Sequence, residues 1–235
     1  MNAAQKSGKG APAYSLYVNR WLGRRFAVLA YLAGLRPNHV TAISAAFSFA
    51  AIAVLVLVPV GWLTGVVVSA CLVLGYALDA ADGQLARLRR QSSVSGEWLD
   101  HMVDCVKISS LHLAVAVSLY RFTDLPDAVL LLPLGYAVVG AVSFFGQILN
   151  EQLRRNVGGE ARVLGPDSRR PSLVRALAKI PLDYGVLCLV FLLLGSPVAF
   201  LVGYGVMFAA ASGYLLLACV AWYRTMRGLD RRLVP

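Results

Sequence analysis

From residue 14 onward the chain is a series of apolar runs, most of them longer than a soluble core helix needs, separated by short polar breaks. Residues 14–33 mix Arg20, Arg24 and Arg25 with Tyr17, Trp21, Leu22, Phe26 and Leu29. That is the two-sided pattern of an amphipathic helix lying in a membrane interface, ended by Gly34 and Pro37. Six apolar segments follow, at residues 40–59, 62–78 (continuing, increasingly polar, to 90), 95–120 (polar at first), 128–149, 182–194 and 198–223. A crossing needs about 20 mainly apolar residues. The pattern therefore predicts an all-α polytopic membrane protein, with an N-terminal interfacial amphipathic helix and six transmembrane helices, the fifth of them short. The expected organisation is a disordered start and interfacial helix over 1–37, a six-helix transmembrane domain over 38–223 and a basic cytoplasmic tail over 224–235.

Composition agrees with a chain built for lipid. Of its 235 residues 58% are hydrophobic and 14% charged, with a mean hydropathy of +0.67, whereas a soluble domain carries about 25% charged residues. The 22 Lys and Arg against 12 Asp and Glu give a net charge of +10, and their placement is uneven. The breaks at 59–61, 121–127 and 195–197 hold one basic residue between them. The alternate ends hold Arg20, Arg24, Arg25 and Arg36, then Arg87, Arg89 and Arg90, a cluster over 154–179, and finally Arg224, Arg227, Arg231 and Arg232. Positive-inside asymmetry predicts an integral plasma-membrane protein with both termini and the long loops in the cytoplasm. Outside the membrane-facing stretch at 14–33, no basic run is interleaved with exposed aromatics, so nucleic acid is not an expected partner. Cys71, Cys105, Cys188 and Cys219 lie scattered in apolar stretches with no metal-binding spacing. Residues 1–12 are polar and lack a signal-peptide apolar core, so insertion is expected to rely on the spans themselves.

Acidic residues inside apolar helices are expensive and by default functional. Four of the twelve acids fall in one stretch: Asp79, Asp82, Asp100 and Asp104. Asp79, Asp82, Gly83 and Ala86 are spaced i, i+3, i+4, i+7 and share one helix face; Gly96, Asp100 and Asp104 recur every fourth residue on the next helix. The two helices join through residues 88–95, so both faces can oppose each other near one membrane surface. Converging carboxylates repel unless cations neutralise them. Hard oxygen ligands suit Mg²⁺, Mn²⁺ or Ca²⁺ rather than zinc. Two such ions would clamp a pyrophosphate, and Arg87 could pair with phosphate oxygens bidentately.

Read as D-x2-D-G-x2-A-R-x8-G-x3-D-x3-D, the stretch from Asp79 to Asp104 resembles the signature of the CDP-alcohol phosphotransferases (CDP-alcohol phosphatidyltransferases), with every fixed position filled. The resemblance implies metal ligation by Asp79, Asp82, Asp100 and Asp104, with Asp104 also the general base for the acceptor hydroxyl. It implies that Gly83, Ala86, Arg87 and Gly96 shape the CDP pocket. Pro37, Asn38 and Thr41 match a further family element, P-N-x-x-T, that helps line the nucleotide site; a helix start with Asn38 as N-cap explains them equally well. The implied activity is transfer of a substituted phosphate from a CDP-linked donor, usually CDP-diacylglycerol, to a small or phosphorylated alcohol, releasing CMP in phospholipid biosynthesis. It needs Mg²⁺ or Mn²⁺, two ions per site, and the family implies a homodimer. A soluble CDP-alcohol donor with a lipid or glycan acceptor is the alternative within the family.

A cation or proton transporter would also place carboxylates in spans. It does not explain Gly83, Ala86, Arg87 and Gly96 at their offsets, and no internal repeat of the transporter kind is evident. Other residues carry plainer expectations. Glu97 suits the first turn of its helix, His101 points off the Asp100 face, and His39 and His112 read as structural. Lys107, one turn beyond Asp104, would meet either substrate or an acid. The 154–179 cluster reads as a headgroup-facing loop. Gly135, Gly140 and Gly146 would let helices approach closely, across a dimer or within one chain.

Overall fold

The computed structural model describes residues 12–91, 93–158 and 182–233, and no strand occurs among them. A π-helical turn, Ser15–Asn19, leads into α1 (Arg20–Leu32). The long helices α2 (Pro37–Leu57), α3 (Trp62–Arg89) and α4 (Val94–Phe122) follow. After a 3₁₀ turn at Asp127–Leu130 comes α5 (Leu131–Gly158), then α6 (Tyr184–Val190), which continues as a 3₁₀ turn over Phe191–Gly195, and last α7 (Pro197–Leu233). Helices α2, α3, α4, α5 and α7 are long and apolar enough to cross a membrane, and the α6 segment is the shorter sixth. The protein is a polytopic all-α membrane protein. Most of the 154–179 cluster lies outside the described residues. Arg154 and Arg155 do not belong to a loop, because α5 runs on to Gly158. Likewise α7 continues unbroken past Tyr223 to Leu233, so the expected tail is helical there.

Small residues decide where the helices meet. On α1 the buried positions are Gly23, Ala27 and Ala30, and a Cβ at Gly23 would lie 3.0 Å from Ala80 Cβ on α3. Its large side chains Trp21, Leu29 and Leu32 stay exposed, as does Tyr17 of the preceding turn, and the Arg25 guanidinium lies over the Trp21 ring at 4.3 Å. This is a helix with a small-residue face on protein and its bulky apolar groups left for lipid.

On α2 the buried stripe is Thr41, Ser44, Ser48, Ala51 and Leu55, at alternating three- and four-residue steps. It faces Val68, Leu72 and Gly75 of α3, where the backbones approach so closely that a Cβ on Gly75 would lie 2.5 Å from Ser48 Oγ. The Ser44 hydroxyl donates to the Gly75 carbonyl at 2.8 Å, so the buried polar group is satisfied. The main core adds Leu111 and Val115 from α4, Phe191 from the α6 segment and Phe200 and Tyr204 from α7. There His112 Nδ1 meets the Tyr204 hydroxyl at 2.6 Å and the imidazole stacks on Tyr136, which is a structural role.

Gly135, Gly140 and Gly146 of α5 pack against side chains of their own chain. A Cβ at Gly135 would meet Phe208, at Gly140 it would meet Ile108, and at Gly146 it would meet Trp222. At the other end, Asp183 accepts from the backbone N–H groups of Ser15 (2.9 Å) and Gly185 (3.1 Å), fastening the start of the described chain to the start of α6.

Candidate active site

Helix α2 packs against both α3 and α4, whereas those two share almost no direct backbone contact. The space left between α3 and α4 is where the two carboxylate rows face each other. Each row extends a core stripe. On α3, Val68, Leu72 and Gly75 lead on to Asp79 and Asp82. On α4, Val115, Leu111 and Lys107 lead back to Asp104 and Asp100. At about 1.5 Å per residue α3 is roughly 42 Å long, against about 30 Å of hydrocarbon. With Trp62 at one boundary, the chain reaches the other near Asp82, and the same reckoning on α4 puts the boundary near Asp100. By helix length alone, both carboxylate rows fall toward one end of their spans.

One carboxylate oxygen from each of Asp79, Asp82 and Asp100 lies within 4.8 Å of the other two. Asp104 is turned to a different partner. The Lys107 ammonium forms ion pairs with Asp104 Oδ1 at 2.6 Å and Asp79 Oδ1 at 2.8 Å. The sequence leaves Lys107 a choice between substrate and an acid; the structure pairs it with two acids. Asp82 is buried and accepts the Thr41 hydroxyl at 2.6 Å. The donor set is all carboxylate, with no thiolate or imidazole, and fits a hard divalent cation.

Beside the carboxylates lies a cleft of about 290 Å³. It is lined by every residue expected at the nucleotide pocket: Pro37, Asn38, Thr41, Gly83, Ala86, Arg87 and Gly96, along with Asp82 and Asp100. The α2 terminus forms here because Arg36 is extended at the N-cap and Pro37 takes the first helical position, whose N–H needs no partner. The N-cap is thus Arg36, not Asn38. Asn38 turns its amide toward α4, where a Cβ on Gly96 would lie 3.4 Å from Asn38 Oδ1. Arg87 folds back across Gly83, its guanidinium 3.4 Å from where a Cβ there would stand. Arg90 ends α3 in the left-handed conformation at φ 54°. Ser93 then caps α4 by accepting the Gly96 N–H at 3.1 Å. Glu97 falls in that first turn, as expected.

The cleft also takes in Gln91, Ser93, Glu97, His101, Glu151 and Arg155, none of which the motif identified. Arg155 reaches from α5 to Glu97 of α4 at 3.1 Å and also pairs with Glu151 on its own helix. The signal for the second pair is present in the chain, a Glu four residues before an Arg at the end of an apolar run. His101 lies off the Asp100 face but still borders the cleft, 3.9 Å from Glu97.

A family model described as CDP-alcohol phosphatidyltransferase matches residues 35–222. No curated protein matches the chain.

Proposed function

Because the chain belongs to the CDP-alcohol phosphatidyltransferase family, we propose that it transfers a phosphatidyl group from CDP-diacylglycerol to the hydroxyl of a small or phosphorylated alcohol, with release of CMP, in phospholipid biosynthesis. The observation that carries this reading is the set of three convergent carboxylates, Asp79, Asp82 and Asp100, the last two of which line a cleft shared with the family's nucleotide-site positions. Those carboxylates would hold the divalent ion, with Asp104 beside them. A Mg²⁺ or Mn²⁺ ion held there would supply positive charge to offset the negative charge of the donor pyrophosphate and its leaving oxygen.

The chain's own residues do the rest. Arg87, Asn38 and Thr41 border the space for the nucleotide, and the Arg87 guanidinium suits phosphate oxygens. Asp104 takes the proton of the acceptor hydroxyl as that oxygen attacks the donor's β-phosphorus. The new P–O bond forms as the bond to CMP breaks, and CMP leaves with the α-phosphate. A lipid donor is supported by the outer face of α4, where Trp98, Met102 and Val106 stand exposed at i, i+4, i+8. The acyl chains can then stay in lipid while the headgroup enters at the membrane surface. The positive-inside asymmetry supports a cytoplasmic active site, and a homodimer belongs to the same reading.

The test is to incubate purified protein with Mn²⁺ or Mg²⁺, a panel of alcohols and either CDP-diacylglycerol or a soluble CDP-alcohol, following CMP. Release with CDP-diacylglycerol alone supports the proposal. Release only with the soluble donor assigns the alternative, and no release with either sinks both.

A further inference from the structure

We propose that the Lys107 ammonium stands in for a second cation at this site, so that a second divalent ion binds only by displacing it. The inference rests on the metal-centre reading above. Asp79 belongs to two groups at once. With Asp82 and Asp100 it offers three oxygens within 4.8 Å of one another. With Asp104 it grips Lys107, whose Nζ is 2.8 Å from one carboxylate and 2.6 Å from the other.

Paired catalytic ions stand about 3.5–4 Å apart, and Mg²⁺ approaches oxygen to about 2.0–2.1 Å. A second ion sharing Asp79 with the first and using Asp104 has to enter the volume that Nζ fills. Two cations cannot share that contact. Lys107 is only 8% exposed, and a lysine so placed is tolerated because both neighbouring carboxylates compensate its desolvation. Its flexible stem allows the ammonium to withdraw without moving α4.

Loading is therefore ordered. The first ion takes Asp79, Asp82 and Asp100 and leaves Lys107 in place. That ion and the ammonium together nearly balance the four carboxylates. A second ion gains little until the donor's pyrophosphate brings further negative charge. Only its arrival frees Asp104 Oδ1, the oxygen that Lys107 engages, for ligation or for the acceptor proton. Lys107 is in this sense a positioning residue, which holds Asp104 back until the site is charged.

The test is a Mn²⁺ titration of the full chain in detergent without donor, counting free ion by electron paramagnetic resonance. The wild type should bind one ion per chain tightly and a second at least about tenfold more weakly, equivalent to about 1.4 kcal/mol. Lys107→Gln should bring the two affinities to within about threefold of each other. Lys107→Arg, which keeps a cation there, should leave them apart, and Asp82→Asn should remove the tight ion. Two equally tight ions in the wild type, or a gap unchanged in Lys107→Gln, would overturn the role of Lys107 while leaving the metal centre standing. A wild type that binds no Mn²⁺ removes the metal centre, and the inference with it. The wild-type titration can decide against the proposal alone, so a Lys107→Gln chain that fails to fold does not shelter it.

Discussion

The Thr41 hydroxyl donates to Asp82 Oδ2 at 2.6 Å, across the contact between α2 and α3. Both residues are buried, so the bond is made where an unsatisfied carboxylate lone pair is costly. The same hydroxyl lies 3.3 Å from the Pro37 carbonyl, which ties the start of α2 to the carboxylate row. Hydrogen bonds to charged groups are worth about 1.5–3 kcal/mol. Thr41→Val, nearly the same shape, should weaken Mn²⁺ binding about tenfold or more, and Thr41→Ser should restore it. An equally tight ion in Thr41→Val would show that the bond only packs the helices.

Metal removal tests the centre directly. Exhaustive EDTA treatment should abolish CMP release, and added Mg²⁺ or Mn²⁺ should restore it. Full activity after chelation would rule out a metal-dependent transfer.

Asp104→Asn removes the proton acceptor and one negative charge while keeping most of the packing. General-base catalysis contributes about 10²–10⁴-fold, so single-turnover rates should fall at least about a hundredfold. Binding of a CDP-linked donor, measured by calorimetry, should change far less, because Asp79, Asp82 and Asp100 remain. Equal losses in both would make Asp104 a ligand rather than a base, and near-normal turnover would remove it from the mechanism.

Gly75 sets the depth at which α2 meets α3. Its missing Cβ would lie 2.5 Å from Ser48 Oγ and 3.2 Å from the Ser44 carbonyl. Overpacking of this kind costs about 1–3 kcal/mol. Gly75→Ala should lower the unfolding temperature in detergent and, by moving α2, weaken Mn²⁺ binding as well. Unchanged stability would mean that the two helices separate freely at this point.

Orientation is read by accessibility. In a chain whose native cysteines are replaced by alanine, Gln91→Cys and Asp124→Cys, both at exposed positions off opposite ends of α4, should label from opposite sides of sealed vesicles. Position 91 should label from the cytoplasmic side. Labelling from the same side would break the assignment of α4 as a span.

The helices and the faces that bear the chemistry follow from local rules along the chain. Asp79 and Asp82 share a side of one helix, and Asp100 and Asp104 a side of the next, because the α-helix repeats every 3.6 residues whatever surrounds it. The same local rule marked the spans, since backbone buried in lipid must be helical. The close α2–α3 contact is a different matter: Gly75 and Ser48 are 27 positions apart, and nothing local matches one to the other. The packing of distant helices sets the rest: α2 fills the groove between α3 and α4, Thr41 reaches Asp82, and Arg155 of α5 closes on Glu97. It also brings three of the four aspartates together and lets Lys107, already in reach of Asp104 on its own helix, bridge to Asp79. Helical spacing brings Lys107 to Asp104 at i, i+3 but leaves open whether it also reaches Asp79. That choice depends on how far apart α3 and α4 stand, and the separation is set by the side chains of a third helix.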